Sequence, residues 1–132
     1  MKKLIIIIAA ACILNIANAE NYKVISVYDG DTFKIKFNNS FTTNPSVRIR
    51  NIDAAEFGWR AKCKKESDLA IKAKTFLSNL ILGKEIDLRD IGKDKYGRIL
   101  ADVFIDNKNV AELLIENSLA KPYTNNKINR CI

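Results

Sequence analysis

Three short segments of this chain place carboxylates and guanidinium groups at spacings that could hold a cation against a phosphate. Asp29-Gly30-Asp31-Thr32 sets two carboxylates two residues apart, and the run Arg48-Ile49-Arg50-Asn51-Ile52-Asp53-Ala54-Ala55-Glu56 joins two arginines to two more acids. Asp94-Lys95-Tyr96-Gly97-Arg98 adds a third candidate guanidinium. Calcium takes oxygen ligands from carboxylates, backbone carbonyls and water, so two of these carboxylates and one carbonyl would form a modest, partly hydrated site. Water kept in such a shell is a potential nucleophile. A third carboxylate would remain to move a proton, and the chain has no histidine to do so instead. A planar guanidinium fork suits phosphate better than an ammonium does, which singles out Arg48 and Arg98. Lys95 and Tyr96 would add a phosphate-facing charge and a ring for a base or sugar. Metal-assisted phosphodiester cleavage needs these parts. Each segment also has a plainer reading: Asp29-Gly30 as a type I′ turn, Asp31 as a structural or merely solvated carboxylate, Asp53 and Glu56 as a solvated loop, and Lys95-Tyr96 as a charged turn.

The elements that must carry these residues are legible from periodicity. Asn21 to Tyr28 is β-rich, Asp29-Gly30 is a hairpin signal, and Thr32 to Phe37 alternates with Phe33, Ile35 and Phe37 on one face. Asn38 to Pro45 reads as a loop. Val47, Ile49 and Asn51 then alternate against Arg48 and Arg50, predicting a third strand with both arginines on one face. Lys64 to Leu82 has helical spacing, with Leu69, Ala73, Phe76, Leu77, Leu80 and Ile81 on one stripe and Gly83 as the stop. Lys84 to Ile91 and Arg98 to Ile105 read as strands around a turn-rich Gly92 to Gly97. A short helix runs to about Ser118, and the tail from Lys121 is polar. Tyr123 is expected to pack on the barrel. Five strands with a helix between the third and fourth give a mainly β, α+β fold, and the order fits an OB-type barrel. An open α+β sheet accounts for it nearly as well.

With 132 residues the chain suits one domain. Met1-Lys2-Lys3, the apolar Leu4 to Leu14 and the A-x-A site Ala17-Asn18-Ala19 read as a signal peptide over 1–19, leaving 20–132 as the domain. The apolar stretch is too short to span a membrane. Acylation at Cys12 is the rival reading, weakened by the lack of leucine three positions earlier. Export to the periplasm or the medium is therefore expected, with cleavage after Ala19. Losing Lys2 and Lys3 lowers the formal charge from +7 to +5, a basic balance that favours polyanions such as nucleic acid. Cys63 and Cys131 would remain, and in an exported chain they are a disulfide candidate, with two free thiols as the alternative. Closing that loop is worth about 4 kcal/mol on the chain-entropy model.

Taken together, the motifs resemble the staphylococcal-nuclease-like (thermonuclease) family from about Lys23 to Tyr123. Val-Tyr-Asp-Gly-Asp-Thr at 27–32, the R-x₄-D-x-x-E pattern of Arg48 to Glu56, and D-x-Y-G-R at 94–98 carry the resemblance. All three in order, with a helix-length insert between the second and third, are strongly specific. The resemblance implies a five-stranded OB-fold barrel and a calcium-dependent phosphodiesterase that cuts single-stranded or locally opened DNA and RNA, leaving 3′-phosphate ends. It implies that Asp31 and Asp53 ligate Ca²⁺ through carboxylates and Ala54 through its carbonyl, with Asp29 nearby through water. Glu56 would deprotonate the attacking water, and Arg48 and Arg98 would bind the scissile phosphate. Lys95 and Tyr96 would contact substrate.

Two departures from the family pattern stand out. Ala55 replaces the usual proline before the glutamate, which predicts a looser Glu56 and a lower rate. Little chain follows Tyr123, so a third helix found in some relatives is expected to be missing, with the Cys63–Cys131 bridge taking over its anchoring role. A monomer is expected. The competing function is a noncatalytic OB module that only binds nucleic acid. Pure binding needs neither the acidic pair nor Glu56, and acids at a phosphate site repel substrate unless a cation neutralises them.

Overall fold

The computed structural model describes residues 21–37, 44–126 and 128–132. The expected signal peptide, Cys12 and most of the loop after Phe37 lie outside the described residues.

The alternating strands close on themselves. β1 (Asn21–Val27) pairs antiparallel with β2 (Thr32–Ile35), and β2 pairs antiparallel with β3 (Ser46–Ile49). β5 (Glu85–Lys93) runs antiparallel to both β1 and β6 (Ile99–Ile105). The parallel pairing of β3 with β6, Val47 opposite Ile99, joins the two ends. Closure pairs both edges of each of these five strands and so removes the open edges a flat sheet would leave. The result is the five-stranded OB-type barrel, with β4 (Ile52–Ala54), β7 (Lys108–Asn109) and β8 (Ala120–Pro122) as short additions.

The inward positions of this alternation, among them Phe33, Ile35, Val47, Ile49, Ile86 and Val103, are all but fully buried. Leu77 and Ile81 from α1 (Lys64–Ile81) and Val110 and Leu114 from α2 (Val110–Glu116) join the same cluster. Asn109 caps α2 by accepting hydrogen bonds from the N–H groups of Ala111 and Glu112. Gly83, at φ +75°, ends α1 as its sequence position predicts.

Several expectations need correction. Gly30 is not at positive φ, so Asp29-Gly30 is not a type I′ turn. A Cβ at Gly30 would instead lie 2.7 Å from the Cβ of Ala73 and 2.9 Å from that of Ala54. The glycine lets the hairpin touch helix α1 and strand β4, and close approach replaces backbone freedom as its reason. β2 stops at Ile35, leaving Phe37 exposed. Asn51 adopts φ +67°, ending β3 before the predicted boundary, and the two arginines part company. Arg48 reaches Asp31, whereas Arg50 bonds the carbonyls of Asp90 and Leu100. On α1 the buried stripe uses Ala70 where Leu69 was expected, and Leu69 is only half-buried. Gly92 and Lys93 extend β5 rather than belonging to the turn. Ala120–Pro122, expected at the edge of a polar tail, pairs with β4. Tyr123 is 62% exposed rather than packed on the barrel.

Candidate active site

One open cleft of about 930 Å³ is lined by Asp29, Asp31, Arg48, Asp53, Glu56, Tyr96, Arg98 and Arg130, among others. Asp31, Arg48, Asp53, Glu56 and Arg98 come from three segments separated by tens of residues, and the barrel brings them to one mouth. Lys95 does not line the cleft, and its ammonium lies 5.1 Å from the Tyr96 ring centroid. Ala54 is buried beneath the surface rather than lining it.

Asp31 is the most constrained acid of the group. Its carbonyl accepts the N–H of Ile49 at 2.9 Å, which locks the start of β2 to β3. Its carboxylate accepts the Thr32 hydroxyl at 3.0 Å and the Ala54 N–H at 2.9 Å, and Arg48 Nη2 lies 3.3 Å away. A carboxylate offers about four lone-pair sites, so capacity remains for one more positive partner. Arg48 also donates to the carbonyls of Ile49 at 2.6 Å and Ile52 at 2.7 Å. Those bonds fix the guanidinium at the cleft wall.

Five carboxylates, those of Asp29, Asp31, Asp53, Glu56 and Glu66, line one cleft and repel each other, and partial burial adds to the cost of charging them. Burial first, then the charge of Asp31, pushes Asp29 up to about 7. Asp29 also accepts the Asp31 N–H at 3.0 Å. Burial raises Asp53 as well, opposed by the guanidinium of Arg130, and raises Glu56 with help from Asp31. Oxygen donors destabilised in this way suit a hard divalent cation. The donors do not form a closed shell: among the described residues, the one tight trio of ligand atoms is Cys63, Glu66 and Cys131. Its two sulfurs are already bonded to each other. The acids at the barrel mouth therefore fit a cation that keeps part of its water.

Arg98 is presented by the turn after β5. The Asp94 carboxylate accepts the N–H groups of Tyr96 and Arg98, each at 2.9 Å, and grips Arg98 Nε at 2.6 Å. Burial would raise the Asp94 pKa, but the hydrogen bonds and charge of Arg98 outweigh it and hold this carboxyl below its usual range. Held through Nε, with its Cζ 5.3 Å from the Tyr96 ring centroid, the guanidinium keeps both terminal nitrogens free of hydrogen bonds to the described residues.

Sequence reasoning missed Arg130 and Trp59. Arg130 is 8% exposed, donates to the Asp53 carbonyl at 2.6 Å and lies 3.8 Å from the Asp53 carboxylate. Its neighbour Cys131 is disulfide-bonded to Cys63 with a Cα–Cα distance of 5.9 Å, which carries the tail to the cleft. The adjacency of Arg130 to a cysteine expected to form a bridge was the one available signal. Trp59, three residues past Glu56, also lines the cleft.

The family model described as staphylococcal nuclease homologue matches residues 46–130. The SPbeta prophage-derived endonuclease YokF of Bacillus subtilis is 36% identical over 95 residues, covering 70% of this chain and 31% of that protein. Endonuclease YncB of the same organism is 35% identical over 95 residues, covering 70% of this chain and 43% of its own length. An uncharacterized endonuclease of Escherichia coli is 31% identical over 104 residues, covering 76% and 60%. This chain thus spans between about a third and three-fifths of these relatives' lengths.

Proposed function

The chain belongs to the staphylococcal nuclease homologue family, and we propose that it hydrolyses phosphodiester bonds of nucleic acids at the mouth of its barrel. The observation that carries this reading is the convergence of Asp31, Asp53 and Glu56 with Arg48 and Arg98 in one cleft. Three relatives bearing the word endonuclease in their names support it.

Calcium is the proposed metal, held by the carboxylates of Asp31 and Asp53 and the carbonyl of Ala54, with Asp29 nearby. When bound it would supply positive charge beside the phosphate and lower the cost of placing an anion among acids. Glu56 takes a proton from the attacking water. The water oxygen bonds to phosphorus, the bond to the 5′ oxygen breaks, and that oxygen takes up a proton from solvent, leaving a 3′-phosphate. Arg48 and Arg98 stabilise the charge that accumulates on the phosphoryl oxygens, where preorganised donors act most strongly. Tyr96 lines the substrate path. DNA and RNA are both proposed substrates, because no proposed contact requires a particular sugar.

Export is proposed as well, with residues 1–19 as a signal peptide and delivery to the periplasm or the medium. The Cys63–Cys131 disulfide supports an oxidising compartment.

The test is cleavage of single-stranded DNA and RNA by the chain from Glu20 onward, in calcium and then in chelator. Calcium-dependent 3′-phosphate products are expected. Binding without cleavage in either condition would instead identify the noncatalytic module. Equal cleavage in chelator would remove the metal role assigned to Asp31 and Asp53.

A further inference from the structure

The cleft has an aromatic lip that the catalytic assignment leaves without a role. After Glu56, the Phe57 ring packs against Tyr28 with centroids 5.9 Å apart, and the Lys74 ammonium sits 5.6 Å from the Phe57 ring centroid. Gly58 then turns the backbone at φ +65°. The short 3-10 turn Gly58–Arg60 that follows buries none of its residues. Trp59 therefore stands 89% exposed while lining the cleft that holds Glu56 and Arg98. A buried indole supplies some of the largest apolar gains available to a fold, and this one, the single tryptophan of the chain, supplies almost none. The Arg60 guanidinium lies over the ring, 5.1 Å from its centroid. At this exposure the opposite face is open to solvent.

We propose that Trp59 is a stacking platform for an unpaired base next to the scissile phosphate, with Arg60 steadying the indole from behind. The inference rests on the nuclease reading and names how substrate is gripped. Stacking on an aromatic face tolerates any base, because every base has a π-face. A base inside a duplex already has both faces covered by its neighbours. Trp59 thus selects single strands without selecting sequence. Arg48 and Arg98 in the same cleft supply cations for the backbone of such a strand, which argues for nucleic acid over a protein or lipid occupant.

Having one tryptophan makes the test direct, since indole emission, excited beyond the absorption of the four tyrosines, reports this side chain alone. The Glu56→Gln chain, which should bind without cutting, is titrated in calcium with a labelled short oligothymidylate and with a hairpin-closed duplex. Label anisotropy reads binding, and indole emission reads stacking. Saturable quenching by the single strand is expected, with weaker binding of the duplex. Adding Trp59→Ala should weaken single-strand binding about tenfold, the scale of one base–aromatic stack, and Trp59→Phe should recover part of the loss. Anisotropy that reports binding while emission stays unchanged, or equal affinities with and without Trp59, would overturn the platform and leave the nuclease reading intact. If the unaltered chain neither binds nor cuts the oligonucleotide, the nuclease reading itself has failed and the platform falls with it.

Discussion

The two walls of the cleft are built by different physics. The inner wall is barrel: Asp31, Arg48, Asp53, Glu56 and Arg98 sit on β2, β3, β4 and β6 or beside them, most of them next to a buried apolar residue such as Ile49, Ile52 or Ala55. Ladder hydrogen bonds set their backbones, and side-chain bonds to the carbonyls of Ile49 and Ile52 set Arg48. The outer wall is the turn Gly58–Arg60 and the tail from Ile128 to Ile132. Its main attachments are the Cys63–Cys131 disulfide, the Arg130 contact with Asp53, and a Lys65 hydrogen bond to the Ile132 carbonyl at 2.8 Å. The groups proposed to hold the metal and the phosphate lie on the wall with cooperative support, and the proposed stacking group, Trp59, lies on the wall held by a few discrete ties. Chemistry should therefore fail by mutation of the first wall, and adjustment should come from the second.

The largest effects are expected at the groups that face the reacting phosphate. Glu56→Gln and Arg98→Ala should each lower the turnover rate about a hundredfold or more, the usual loss for one well-placed electrostatic or proton-transfer group. Melting temperature should barely move, since neither side chain is part of the core. Steady-state kinetics with a melting curve for each variant checks both halves. A small rate effect for Arg98→Ala would mean that Arg48 alone handles the phosphate.

Untying the outer wall should reverse that pattern, with more stability lost than rate. Replacing Cys63 and Cys131 by serine opens a loop of 68 residues and should lower the melting temperature by about 10 °C, given the 2–4 kcal/mol typical of a disulfide. A reductant should do the same to the unaltered chain. Arg130→Met comes next in size. It keeps the apolar stem but leaves the Asp53 carbonyl without its donor, a cost of about 1–3 kcal/mol for a buried group. Activity should fall less than in Arg98→Ala, and calcium titration should show a weakened half-saturation point if Arg130 positions Asp53.

How much of this was legible before the coordinates follows the same division. The barrel strands were readable because alternation has a period of two and each inward residue must be buried, as Phe33, Ile35, Val47 and Ile49 are. The five candidate groups were readable because their chemistry demands particular residue types at short spacings. Contacts remote in sequence were not. Nothing local says that Gly30 must admit the side chains of Ala54 and Ala73. Nor does local pattern show that Ala120–Pro122 pairs with β4, or that Arg130 returns to Asp53 across 77 residues. The expectation that Arg48 and Arg50 share a face failed because alternation holds only while the strand continues, and Asn51 at φ +67° ends it.

The smallest expected effect lies at the Asp94 turn, which presents Arg98. Asp94→Asn keeps an oxygen for the N–H groups of Tyr96 and Arg98 but removes the charge that grips Arg98 Nε. Because the folded pKa of Asp94 lies below 3.8, the unfolded chain takes up this proton first as the pH falls. The pair's stabilisation is therefore complete above the ordinary carboxylate range, declines below about pH 3.8, and is gone once the folded carboxyl is protonated. Melting curves of the unaltered chain and of Asp94→Asn should differ modestly at neutral pH and converge in acid, once the folded carboxyl is protonated. A gap that persists in acid would mean that Asp94 acts through the shape of the turn rather than through its charge. Arg98 would then owe its position to the backbone of the turn rather than to the ion pair.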